Sequence, residues 1–103
     1  MKYLKTYETI ELQKPDLKKY VICVDSTSTF YYIMEVIENT IYGVKLKALY
    51  YTENGTNLIH TENKTYIYTL EDIKKHNIYT ADTIEECKDK LPMIITAKKY
   101  NIV

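Results

Sequence analysis

Two histidines, two cysteines, two serines and twelve tyrosines are the residues of this 103-residue chain best suited to chemistry. His60 and His76 stand apart, and neither sits in H-x-x-x-H, H-E-x-x-H or an acidic loop, so no metal site is expected. Nucleophilic catalysis needs a hydroxyl or thiol held beside an oriented base. Ser26 and Ser28 lack the G-x-S-x-G turn that would present such a nucleophile. Cys23 falls in the middle of an apolar run and Cys87 in a helical stripe, with no C-x-x-C anywhere. Two buried thiols are therefore expected, with a single disulfide as the alternative. Glu71-Asp72 and Glu85-Glu86 each follow a Thr, where helix capping accounts for them. Two glycines in the whole chain leave no phosphate-cradling loop. These patterns predict a non-enzyme without cofactor or metal.

Tyrosine is the unusual feature. Tyr31-Tyr32, Tyr50-Tyr51 and Tyr66-Ile67-Tyr68 fall in strand-like segments. Neighbouring strand residues point to opposite faces, so each pair offers one ring inward and one outward. The simpler reading is that Tyr supplies strand propensity and covers sheet surface. The functional reading is an outward patch, with Tyr31, Tyr51, Tyr66 and Tyr68 interleaved with Lys45, Lys47 and Lys64. Such a surface suits a protein partner, because Tyr contributes contact area at low entropic cost. It also suits single-stranded nucleic acid, through base stacking and lysine–phosphate contacts.

Charge weighs between these partners. All 14 basic residues are Lys and they balance 14 acids, for a net charge of zero. Arg, the usual bidentate reader of phosphate and guanine, is absent. Nucleic acid is thus the second choice. The composition is that of one folded domain over 1–103, with 46% hydrophobic and 27% charged residues. The N-terminal residues lack a signal-peptide pattern and no run approaches a membrane span, so a cytoplasmic location is expected. The excess of Lys, Ile, Asn and Tyr matches AT-rich codons and suggests an AT-rich genome or mobile element.

Behind these residues stand the elements that must position them. YVICVD (20–25) and FYYIMEVIE (30–38) are strand candidates, the second apolar on both faces and hence central. Asn39-Thr40 is a candidate tight turn. In IYGVKLKALYY (41–51), Tyr42, Val44, Leu46, Ala48 and Tyr50 alternate with Lys45 and Lys47, which predicts a half-buried strand with a bulge or bend at Gly43. Thr-Glu-Asn recurs at 52–54 and 61–63 and marks two reversals around a short strand at 57–61, with TYIYT (65–69) after them. Residues 6–12 alternate weakly, before a turn at Lys14-Pro15-Asp16.

The pattern then changes. Thr69 and Thr83 are predicted N-caps, Asn77 ends the first helical turn, and Pro92 stops the second. MIITAKKYNIV (93–103) is predicted as an edge strand able to pair across a two-fold axis into a homodimer. The fold class is α+β: an antiparallel meander of five to six strands packed by a short C-terminal helix. A partly open SH3-like barrel is the alternative closure. The expected function is a protein-binding module, in the form of a phage or mobile-element inhibitor that occupies a host defence protein.

Overall fold

The computed structural model describes residues 14–25, 27, 29–53 and 57–99; the 6–12 segment and the Asn54-Gly55 turn lie outside them. Six strands form one antiparallel sheet: β1 (Tyr20–Val24), β2 (Tyr31–Thr40), β3 (Gly43–Thr52), β4 (Ile59–His60), β5 (Thr65–Tyr68) and β6 (Asn77–Ala81). The described residues also form two helices, α1 (Leu70–His76) and α2 (Ile84–Lys99). The spatial order is β4-β3-β2-β1-β6, and β5 also pairs with β3, along Val44–Lys47 where β4 takes Tyr50 and Tyr51. The fold is thus α+β, and its sheet is open rather than an SH3-like barrel.

The connection from β5 to β6 decides the architecture. β5 lies on one edge and β6 on the other, so the chain carries α1 across a face of the sheet to reach β1. Ile73 of α1 joins Val21, Cys23, Met34, Val44, Leu46 and Ala48 in one buried cluster. The opposite face buries Ile22, Val24, Tyr31, Ile33 and Ala81 against Cys87 and Leu91 of α2. Helices therefore pack on both faces, where the sequence had predicted one. This explains why β1 and the first half of β2 are apolar on both sides.

Three single-residue irregularities adjust the pleat. Ile37 is extra on β2 and Leu49 on β3. Ile78 is extra on β6. The bulge at Leu49 corrects the predicted alternation of β3: Val44, Leu46 and Ala48 face α1, but Tyr50 faces the α2 side and Tyr51 the α1 side. Tyr42 departs from that stripe too, as it sits 85% exposed in the turn. The β2–β3 reversal falls at Ile41-Tyr42 rather than Asn39-Thr40, and the Thr40 hydroxyl accepts from Tyr42 N–H and donates to the Gly43 carbonyl. Gly43 marks no bulge. A Cβ there would stand 3.0 Å from the Tyr68 carbonyl oxygen, so glycine admits the end of β5. Asn63 turns the chain with φ 60, a conformation asparagine tolerates.

Both predicted N-caps are present. The Thr69 hydroxyl accepts from Asp72 N–H while the Asp72 carboxylate accepts from Thr69 N–H, a full capping box. Thr83 accepts from Glu86 N–H at the head of α2. The end of α2 overturns a prediction. Pro92 lies inside the helix, and residues 93–99 are helical, so no edge strand forms there and homodimerisation through it loses its basis. The apolar stripe Ile84, Cys87, Leu91 continues to Ile94 and Ile95, which pack on the α2-side core. That burial offsets the hydrogen bond proline cannot make. Replacing Pro92 with Ala should then raise stability by about 1 kcal/mol or more, since an interior proline costs up to about 3 kcal/mol. Denaturant melts of the two proteins measure this; an unchanged midpoint would mean the helix does not run through position 92.

Candidate functional site

Helix α1 has only seven residues, about 10 Å of length, and cannot cover its face of the sheet. Two clefts open beside it. The first, about 380 Å³, lies between α1 and β5 and is lined by Asp25, Tyr32, Tyr66, Tyr68, Asp72 and His76. The second, about 490 Å³, continues over the sheet between Phe30, Tyr32, Tyr51 and Tyr66, with Glu62 and Lys64 at its side. Tyr32 and Tyr66 line both, so the clefts form one groove.

Strand geometry aims these rings. Leu46 pairs with Tyr66 and Val44 with Tyr68, so both tyrosines share the α1 face with the buried leucine and valine. The Leu49 bulge sets Tyr51 opposite Tyr32 on that face, with ring centroids 6.2 Å apart. Phe30 meets Tyr51 edge-on at 6.4 Å. Such pairs hold each other in orientation and leave one face of the cluster to solvent. The chain between β4 and β5 is tied back beside them. Ala48 N–H donates to the Lys64 carbonyl, Thr61 N–H donates to the Leu49 carbonyl and the Thr61 hydroxyl donates to the Ala48 carbonyl.

The first cleft is ringed by fixed polar groups. The Asp25 carboxylate accepts from the Thr27 hydroxyl at 2.6 Å and from the backbone N–H of Thr29 and Phe30. The Thr27 bond above all, helped by the two backbone donors, holds this carboxyl below its usual range against some desolvation. His76 Nδ1 lies 3.0 Å from the Val24 carbonyl oxygen. A carbonyl only accepts, so Nδ1 bears the proton and Nε2 is the ring's acceptor in the neutral form. The Tyr68 ring stands edge-on to His76 at 6.2 Å. Burial pushes the Tyr68 phenol up to about 12, with Cys23, Tyr32, Tyr66 and Asp72 adding to the rise. Tyr32 is raised by burial first and then by Asp25, Tyr66 and Tyr51. The phenols are thus proton donors within a field that opposes negative charge.

Of the seven residues singled out in the sequence, the groove gathers Tyr51, Tyr66, Tyr68 and Lys64. Tyr31 is a correction: it is 4% exposed and packs in the core under α2. Lys45 and Lys47 are corrections too. They lie on the other face of β3, opposite Glu38 and Glu35 in the β2–β3 register, away from the groove. Phe30, Tyr32, Asp25, Asp72 and His76 were not singled out. Phe30 and Tyr32 flank Tyr31, and alternation gave them the opposite face; which face was open depended on the helices.

His60 meets Tyr50 in a tilted contact, with ring centroids 4.8 Å apart, and the Lys88 ammonium stands 4.5 Å from the centroid of the same Tyr50 ring. These contacts tie β4 to the α2 side, and His60 also lines the second cleft with Glu62. Among the described residues no three His, Cys, Asp or Glu side chains are grouped to hold a metal. None of their helices is long and apolar enough to cross a membrane. Both cysteines are free and buried, Cys23 in the α1-side core and Cys87 in the α2-side core. Burial pushes their thiols up to about 12 and about 11, respectively. The folded protein should react with a disulfide reagent at pH 8 at least about 100-fold slower than the urea-unfolded chain. Equal rates would show an exposed thiol.

No family model matches the chain, and no curated protein or solved structure matches it. The groove is therefore read from its own chemistry.

Proposed function

We propose that this domain is a protein-binding module and that the aromatic groove beside α1 is its contact surface. The observation that carries this reading is the composition of the groove. Four aromatic rings, Phe30, Tyr32, Tyr51 and Tyr66, line an open cleft with Glu62 and Lys64 at its rim. Phe30 and Tyr66 remain 36% and 41% exposed. Aromatic anchors within a polar rim are the features that concentrate binding energy in protein interfaces. Single-stranded nucleic acid is the second reading, and the charge disfavours it. Asp25, Glu62 and Asp72 line the two clefts against one lysine, Lys64. Lys45 and Lys47 face away, across from acids. A strand of phosphates would meet a net negative groove.

The AT-rich codon signature extends the proposal: the partner is a protein of the host in which a phage or mobile element resides, inhibited by occupation of its surface. A photo-crosslinking residue placed at 51 or 66, with matched controls at 45 and 67 on the other face, tests the site. One stoichiometric protein adduct from the groove positions and none from the controls is expected. Equal labelling from both faces would sink the assignment. Salt-sensitive binding of single-stranded oligonucleotides at the groove would favour the second reading instead.

A further inference from the structure

Resting on that reading, we propose that the cleft between α1 and β5 receives the cationic tip of a lysine or arginine side chain on the bound protein. The cleft has the two components that organic-cation recognition requires. Tyr32, Tyr66 and Tyr68 supply aromatic walls, and Asp25 and Asp72 supply carboxylates. A cation over a tyrosine face is attracted by the ring quadrupole, more strongly where water is excluded. Carboxylates already held by backbone and hydroxyl donors keep lone pairs for a charged donor and need no reorganisation to accept it. Asp25 is held in this way by Thr29, Phe30 and Thr27, and Asp72 by the capping box of α1.

The surroundings discriminate against other occupants. An inorganic metal ion needs three or more grouped ligands, and Asp25, Asp72 and His76 do not form such a set. An anion would meet two carboxylates and the phenols of Tyr32 and Tyr68, whose own ionisation is resisted. The remaining polar ring in the cleft, His76, has its Nδ1 proton directed to the Val24 carbonyl. Its Nε2 remains an acceptor, suited to a guanidinium or ammonium donor. At about 380 Å³ the space fits one long side chain and lies at the small end of ligand pockets. The second cleft continues the groove through Tyr32 and Tyr66, so a chain inserting its cation here would lay its neighbouring residues along Phe30 and Tyr51.

The test titrates the whole isotope-labelled protein with the capped tripeptides Gly-Arg-Gly, Gly-Lys-Gly and Gly-Gln-Gly, followed by amide resonances. The Arg or the Lys peptide should shift residues around 25, 66–68 and 72–76 with weak, salt-sensitive, saturable binding, and the Gln peptide should not. The Arg-to-Lys ratio identifies the preferred head group. Asp72→Asn keeps an oxygen for the Thr69 cap and should weaken the cationic peptide at least threefold. Tyr66→Leu should do the same, with both variants melting near the parent. Equal shifts from the Gln peptide, no shifts at millimolar peptide, or unaltered binding by Asp72→Asn would overturn the proposal. A groove-specific protein crosslink in the parent together with no response to either cationic peptide would overturn it while leaving the protein-binding reading intact.

Discussion

Removing the Tyr51 and Tyr66 rings together should weaken the protein partner by at least about 100-fold and leave the fold intact. Each ring lies in a cleft with one side packed and the other open. Interface aromatics in this setting commonly contribute 2 kcal/mol or more, roughly 30-fold apiece. The two rings share Tyr32 as a neighbour, so their effects should fall short of strict additivity. Stability should suffer less. Tyr66 stands at the sheet edge, and Tyr51 loses chiefly its ring pairs with Phe30 and Tyr32, worth about 0.5–1.5 kcal/mol each. The matched control is Lys45→Ala with Lys47→Ala on the far face, which should leave partner affinity within about twofold. Titration calorimetry against the crosslinked partner, once purified, reads both. Equal losses from the two double variants would place the interface elsewhere.

Replacing Leu46 with Ala should cost about 2–5 kcal/mol. Leu46 is fully buried in the α1-side cluster, with Val36 and Tyr66 as its cross-strand neighbours. A domain of this size is stabilised by about 5–15 kcal/mol in total, so the midpoint of thermal unfolding should drop by more than about 10 °C. Ile67→Ala is the informative comparison. Ile67 is also a large aliphatic residue in this part of the sheet, one position from Tyr66, yet it is 79% exposed on the opposite face. Its loss should cost less than about 0.5 kcal/mol. Comparable losses at the two positions would mean that the strands pair in another register.

Period-2 patterning made β1, β2, β3 and β5 legible, because each alternates or runs apolar over several residues. Thr69 with Asp72 announced α1, and Thr83 with Glu86 announced α2, since both sites have the side chains a helix start needs. Pro92 misled for a tertiary reason. A breaker has a local cost, and here Ile94 and Ile95 recover it on a surface made by distant strands. The face taken by α1 was likewise hidden, since it follows from β5 and β6 standing on opposite edges.

The groove was half legible for the same reasons. Tyrosine abundance pointed to Tyr51, Tyr66 and Tyr68, but nothing local told Tyr31 from Tyr32. Asp72 was recognisable as a cap, and its second position, in the wall of a cleft, appears only when β2 and β5 are brought beside α1. Lys45 and Lys47 looked like patch residues because their cross-strand acids, Glu38 and Glu35, lie in a different strand.

The extra residue at Leu49 has a consequence for how this surface could change over generations. It acts as a phase inverter: upstream of it the odd-numbered residues of β3 face away from α1, and downstream they face toward it. Deleting that one residue would restore plain alternation and leave Tyr50 and Tyr51 on their present faces, because Ala48, Tyr50 and Tyr51 already oppose the consecutive residues Met34, Ile33 and Tyr32. Loss of that single codon would thus straighten the strand and spare the groove, whereas gain or loss of a codon elsewhere in the strand would shift one half against the other.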